Sequence, residues 1–173
     1  MKQKWIKMYM DFAVRAAQES YAERLKVGAV FVSPDGVMSM GINGMPEGGT
    51  NECEIREYMD SDAGGWLSPD EVEMAWPYVE YNGEFQDQKR RYKLVTKDDC
   101  SHAEENLFAK LMLQGVSTKG GTMFITCSPC LPCAKIIRAA KISAVYYLEQ
   151  YRKMDGIEYL RKHGIHVEQV QLT

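Results

Sequence analysis

The chain has 173 residues, 45% of them apolar and 26% charged, which excludes disorder and describes one domain able to bury roughly two thirds of its unfolded surface. No apolar run approaches the roughly 18 residues needed to cross a bilayer, and Asp11 and Arg15 interrupt any leader segment behind Lys2, Lys4 and Lys7, so no membrane association and a cytoplasmic location are expected. The net charge of -3 leaves no basic excess for a polynucleotide, and residues 47–100, with 14 acids against 6 bases, form an acidic middle between mildly basic ends, a pattern suited to a small anionic substrate rather than nucleic acid.

Residues 4–20 carry Trp5, Met8, Tyr9, Phe12, Ala13 and Ala16 on one face, the spacing of a helix. Val27–Val32 and Val37–Ile42 flank the turn Ser33-Pro-Asp-Gly36 and read as a hairpin. Between 47 and 100 the pattern loosens around Gly48-Gly49 and Gly64-Gly65, with a helix start at Ser68-Pro-Asp-Glu71. Trp66, Trp76, Tyr78, Tyr81, Phe85 and Tyr92 make this stretch too aromatic for a linker, so a folded insertion, a lid or an interface, is expected there. From residue 102 strands and helices alternate: helix 102–113 ended by Gly115, strand 122–127, helix 130–141, strand 143–148, helix 154–163 ended by Gly164, and strand 165–170. That order predicts parallel βαβ crossovers. The expected whole is a single three-layer α/β/α domain with a mixed five-stranded sheet, opened by an antiparallel hairpin, and helices on both faces.

Five cysteines, an odd number in a chain with no export signal, argue against a disulfide scaffold. Three of them, Cys127, Cys130 and Cys133, fall within seven residues. His102-Ala-Glu104 is followed after 24 residues by Pro129-Cys-Leu-Pro-Cys133. Cys130 and Cys133 open one predicted helix, whose N-terminus favours thiolates, and His102 opens another at the same sheet edge. One imidazole and two thiolates give zinc three protein ligands and leave the fourth position for water, a catalytic arrangement. Glu104, on the same first turn as His102, is placed to carry a proton to a ring nitrogen and then to a leaving amine. This is the pattern of the zinc nucleobase deaminases. A closed structural zinc site is the competing reading, but no fourth protein ligand stands at a suitable spacing.

The chain resembles the deoxycytidylate (dCMP) deaminase family. The matching residues are Val27-Gly-Ala-Val30, Gly41-Ile-Asn-Gly-Met-Pro46, His102-Ala-Glu-Glu-Asn106, Thr126-Cys-Ser-Pro-Cys-Leu-Pro-Cys-Ala-Lys135 and Tyr151. The resemblance implies the cytidine deaminase-like fold and hydrolysis of dCMP to dUMP and ammonia, which feeds thymidylate synthesis. It makes His102, Cys130 and Cys133 the ligands of one catalytic Zn2+ and Glu104 the proton shuttle. It implies substrate contacts from Asn43, the Ala103 backbone N–H, Ser128 and Tyr151. It further implies a homohexamer activated by dCTP and inhibited by dTTP, with Mg2+ on the triphosphate. Two departures carry expectations: Ile42 replaces a usual tyrosine and removes an aromatic wall, and Leu107 replaces a small residue and is expected to tighten the substrate side.

Arg24 and Lys26 precede the first strand at the end facing the site and are candidates for the substrate's 5′-phosphate. The resemblance also makes the loop holding Gly44, Glu47 and Asn51 the candidate effector contact. Cys53 and Cys100 flank the insertion and offer two ligands toward a second zinc, two short of a structural site. The basic run Gln88-Lys-Arg-Arg-Tyr-Lys93 reads as a solvated face balancing nearby acids, and His163 and His166 straddle a helix end at Gly164. The alternatives are a deaminase of single-stranded DNA or RNA or of another nucleobase, and a non-catalytic zinc module that binds nucleotides.

Overall fold

The computed structural model describes residues 1–59, 67–81 and 89–172. Its main sheet has five strands in the order β2-β1-β6-β7-β8. The hairpin of β1 (Gly28–Val32) and β2 (Met38–Ile42) is antiparallel, and β1 also pairs antiparallel with β6 (Thr122–Cys127). From β6 the sheet runs parallel through β7 (Ala144–Glu149) to β8 (His166–Gln169). The crossovers are α4 (Leu131–Ala139) and α5 (Asp155–Lys162). Gly115 and Gly164 take positive φ after α3 (Ala103–Leu113) and α5, the conformation a helix-ending glycine supplies cheaply.

Alternation along the central strands divides the core in two. Ala29, Phe31, Met123, Ile125, Val145 and Tyr147 pack toward the face carrying Leu107, Leu111, Ile137, Ile157 and Leu160 of α3, α4 and α5. Val30, Val32, Phe124 and Tyr146 pack toward the other face, against α1 (Gln3–Ala17). The mixed sheet with helices on both faces is as the sequence predicts.

The buried face of α1 includes only part of the apolar stripe read from its spacing. Ile6, Met10, Ala13, Ala16 and Ala17 are buried, while Trp5 and Phe12 are exposed and form a ring-contact stripe through Tyr9. Two apolar stripes overlap on this helix, and the sheet takes the one ending in alanines. The reason is close approach: a Cβ on Gly28 would stand 2.1 Å from the Ala13 carbonyl oxygen and 2.7 Å from the Ala17 nitrogen.

The stretch between the hairpin and α3 carries a second sheet. Its strands β3 (Glu54–Tyr58), β4 (Tyr78–Tyr81) and β5 (Lys89–Thr96) are antiparallel, with β5 central. The helix α2 (Pro69–Ala75) is capped by Ser68, whose N–H donates to Glu71 Oε2 at 2.8 Å. Tyr78 stacks on Tyr92 across these strands, and Tyr58 packs against Tyr92 at a tilt. Arg90 lies over the Tyr58 ring and Lys93 pairs with Glu57 at 2.6 Å, so part of the basic run balances acids within this sheet. Trp66, Phe85, Gln88 and the Gly64-Gly65 pair lie outside the described residues. Among the described residues no helix is long and apolar enough to cross a membrane.

Candidate active site

Two helix starts build the site. His102 is the N-cap of α3 and Cys130 the N-cap of α4, both in extended backbone (ψ 158° and 167°). Each helix therefore begins one residue later than the spacing predicts, which turns these side chains across the helix mouths. Cys133, one turn into α4, is fully buried.

Several contacts fix the two starts. Glu105 Oε2 accepts the His102 N–H at 2.7 Å, and Ser101 exchanges backbone hydrogen bonds of 3.1 and 3.0 Å with Gly44. Asn106 Nδ2 and Lys110 Nζ donate to the Ile42 and Met40 carbonyls at 2.8 and 3.1 Å. A Cβ on Gly41 would stand 2.3 Å from the Ala103 carbonyl oxygen, so β2 carries α3 at backbone distance. Gly156 does the same for the other ligand loop, where a Cβ would stand 2.0 Å from the Pro129 carbonyl oxygen and 3.0 Å from the Cys130 carbonyl. Sequence reading does not assign the positioning roles of Gly41, Glu105 and Gly156. No local pattern marks Gly156, since its reason is a helix touching a loop 26 residues earlier in the chain.

Leu107 is correspondingly a core residue, fully buried against this helix–sheet contact and outside the cavity wall. This corrects the expectation that it tightens the substrate side. The close backbone approach at Gly41 points its side chain into the sheet rather than the pocket.

His102 Nδ1 lies 3.5 Å from Cys130 Sγ and 3.3 Å from Cys133 Sγ, and all three ligand atoms fall within 4.8 Å of one another. A tetrahedral zinc with ordinary bond lengths separates such an N and S by about 3.6 Å. One borderline nitrogen and two soft sulfurs also suit zinc, so these residues fit the ion. Without metal the three groups share protons: the Cys133 thiol and His102 hold the Cys130 thiol down to about 4. Cys130 in turn raises His102 to about 9, and Cys130 with burial pushes Cys133 up.

Glu104 is 4% exposed, buried beside this cluster. Burial pushes its carboxyl up to about 7, opposed by its own backbone N–H and by His102. A carboxyl poised near neutrality both takes and gives a proton readily.

His102 and Cys130 line a cavity of about 600 Å³, with Cys133 buried behind its wall. Arg24, Asn43, Ala103, Ser128 and Tyr151 line it, as do Glu149, Arg152 and Cys127, and so do Glu54 and Thr96 from the inserted sheet. The Ser128 hydroxyl is buried and accepts the Tyr151 N–H at 2.8 Å, and the Ser128 N–H donates to the Glu149 carbonyl at 2.8 Å. Asn43 Oδ1 accepts from Ser20 Oγ and from the Val27 N–H, each at 2.8 Å, and its Nδ2 donates to the Leu25 carbonyl at 2.8 Å. Burial raises the Cys127 thiol to about 11, and it stands outside the ligand cluster.

Other candidates are not brought together here. Lys26 Nζ reaches the Gln18 carbonyl at 3.5 Å and does not line the cavity. Glu47 is exposed, and the Asn51 carbonyl accepts the Cys53 thiol at 3.6 Å. Cys53 and Cys100 are buried with Ala22 and Met45. Among the described residues, His102, Cys130 and Cys133 are the one group of three possible ligands, and His163 and His166 turn instead to the Tyr159 carbonyl and Glu168.

A mixed sheet presenting one imidazole and two thiolates at two helix mouths, with a buried carboxyl beside them, defines a zinc-dependent nucleobase-type deaminase. The comparisons narrow the class. Residues 3–149 match the cytidine and deoxycytidylate deaminase zinc-binding region, and the chain belongs to that family. It is similar to the deoxycytidylate deaminase of Enterobacteria phage T4, with 29% identity over 91% of this chain and 86% of that one. The deoxycytidylate deaminase of Mycobacterium phage D29 is 32% identical over 83% of this chain and 93% of its own. The dCMP deaminase of cyanophage S-TIM5, solved in complex with dCMP and dUMP, superposes with a TM-score of 0.73 at 31% identity, covering 98% of this chain and 99% of that one.

Proposed function

We propose that this chain is a dCMP deaminase, hydrolysing dCMP to dUMP and ammonia and so supplying dUMP for thymidylate synthesis. The observation that carries the reading is the buried Glu104 carboxyl beside the converged His102, Cys130 and Cys133. The full-length likeness to a dCMP deaminase solved with dCMP and dUMP supports the choice of substrate.

His102, Cys130 and Cys133 hold Zn2+, which when bound supplies Lewis acidity and brings the pKa of a water to about 7. Glu104 takes a proton from a water molecule as that oxygen bonds to the amino-bearing ring carbon, and delivers it to the adjacent ring nitrogen; it then carries the remaining proton of the added hydroxyl to the amine, so that the carbon–nitrogen bond breaks, ammonia leaves and the carbonyl of dUMP forms. Its burial excludes bulk water from that transfer. The Ala103 N–H, at the open end of α3, binds the ring carbonyl, and Tyr151 packs on the pyrimidine, held by Ser128. Asn43 has an amide hydrogen left for the deoxyribose after its bond to Leu25. Arg24 takes the 5′-phosphate, with Arg152 a second cation on the wall; Lys26 is the weaker candidate from its placement.

The same reading makes the protein a cytosolic homohexamer of one-domain subunits bearing the inserted sheet. Its dCTP activation and dTTP inhibition act with Mg2+ through the loop of Gly44, Glu47 and Asn51. Support for that route is the Gly44–Ser101 backbone pair, which ties the loop to the residue before a zinc ligand. Ammonia release from dCMP, CMP, deoxycytidine and a cytosine-containing single strand tests the substrate. Turnover confined to dCMP is expected, and turnover on the strand alone would overturn it. Hyperbolic dCMP kinetics indifferent to dCTP and dTTP would overturn the regulation.

A further inference from the structure

Arg24 lies on a short irregular segment between α1 and β1 whose residues 23–26 are all exposed. An arginine on such a segment samples many rotamers, and ordering it only when a ligand arrives subtracts from affinity. Here it is gripped in advance, and the grip comes largely from the inserted sheet. Glu54 of β3 accepts the Glu23 N–H on Oε2 at 3.1 Å and the Arg24 N–H on Oε1 at 3.2 Å. Thr96 of β5 accepts Arg24 Nη1 on its hydroxyl oxygen at 3.0 Å. Glu54 and Thr96 are directly opposed in the β3–β5 register, so one cross-strand pair holds both the backbone and the guanidinium of Arg24. Asn43 holds the same segment from the core side through Ser20, Leu25 and Val27. Thr96 takes one Nη of the fork and leaves further donors for a bidentate anion.

We propose that Glu54 and Thr96 are positioning residues for Arg24, so that the inserted sheet forms one wall of the 5′-phosphate subsite and contributes to discrimination between nucleotide and nucleoside. This rests on the assignment of the phosphate to Arg24. The Glu54 carboxylate, although it lines the cavity, is turned to two backbone donors rather than toward the anion.

The test measures dissociation constants of dUMP and deoxyuridine on the zinc-loaded full chain by calorimetry. Thr96→Val lowers the nucleotide-to-nucleoside affinity ratio about fivefold, the net effect of one solvent-exposed hydrogen bond, and Thr96→Ser restores it. Glu54→Gln, which keeps the side-chain volume but loses one acceptor, lowers the ratio in the same direction. In steady state Thr96→Val raises KM for dCMP with little change in kcat. In an Arg24→Ala background, Thr96→Val has no further effect on the ratio, since the group it positions is gone. Equal weakening of both ligands, a full Thr96→Val effect without Arg24, or tighter dUMP binding in Glu54→Gln would overturn the positioning role. If Arg24→Ala lowers the ratio while both neighbouring variants leave it intact, the phosphate assignment stands and the positioning role falls. If Arg24→Ala leaves the ratio intact, both fall.

Discussion

Gly28 and Gly156 make matched contacts on opposite faces of the protein, which turns a pair of alanine substitutions into a test of how the metal ligands are placed. A Cβ on Gly28 meets the Ala13 carbonyl oxygen at 2.1 Å, and one on Gly156 meets the Pro129 carbonyl oxygen at 2.0 Å, where ordinary contact starts at 3.4 Å. Each substitution therefore demands that backbone move by more than an ångström. Overpacking of this kind costs about 1–3 kcal/mol, so both variants are expected to unfold at similar, lowered denaturant concentrations. Their effects on zinc should separate. The Gly156 displacement falls on Pro129 and the carbonyl of Cys130, whereas a metal site tolerates only about 0.2 Å in its ligand distances. Zinc affinity in Gly156→Ala should fall about 10–100-fold, the range seen when support behind a ligand is lost. In Gly28→Ala, where α1 absorbs the shift, it should stay within a few-fold. Competition against a chromophoric chelator under conditions where both variants are folded reads this directly. Unaltered zinc affinity in folded Gly156→Ala, or equal losses in the two variants, would refute the role given to Gly156.

Glu104→Gln should lower kcat for dCMP by about 10²–10⁴ while zinc content is retained, because it removes the proton carrier but not a ligand; metal analysis beside the kinetics checks this, and retained turnover would refute it. Ser128→Ala deprives the Tyr151 N–H of its 2.8 Å acceptor in a buried setting, so it should cost about 1–3 kcal/mol and raise KM for dCMP; urea unfolding and steady-state kinetics are the measurements. In the inserted sheet, Tyr58 at 2.6 Å, and then Arg56 at 2.7 Å, hold the Glu80 carboxyl below its ordinary value. A depressed folded pKa stabilises above the unfolded value of about 4.5, and that contribution is lost as pH falls through the lowered folded value. The acid limb of a tyrosine-fluorescence titration should therefore flatten in Glu80→Gln, and an identical limb would contradict the assignment.

The catalytic half of the chain was legible because its signals are local. Strands and helices alternate from residue 102, glycines stand where α3 and α5 end, and the His–x–Glu and Cys–x–x–Cys pairs fall at helix starts. Stagger by one residue at His102 and Cys130 was not legible, since an N-cap and a first helical residue look alike in a spacing count. What failed needed tertiary information. Trp5 and Phe12 outrank Ile6 and Ala17 as apolar signals on α1, yet close backbone approach at Gly28 selects the smaller residues. Arg24 and Lys26 are two residues apart and equivalent as text; only the fold sends one to the cavity and the other to the Gln18 carbonyl. Glu54 and Thr96 enter the site because β3 and β5 pair across a long connection. The short stretches that announce a motif carry no trace of that pairing.

One zinc per chain, held by His102, Cys130 and Cys133, is what we propose makes this protein a dCMP deaminase. The decisive experiment titrates zinc into metal-free protein and follows dCMP turnover by the absorbance change to dUMP. Activity should rise linearly to a break at one equivalent, with no such rise in Cys133→Ser. A break at two equivalents, with Cys53 and Cys100 required for it, or full zinc uptake without turnover of dCMP, would contradict the proposal.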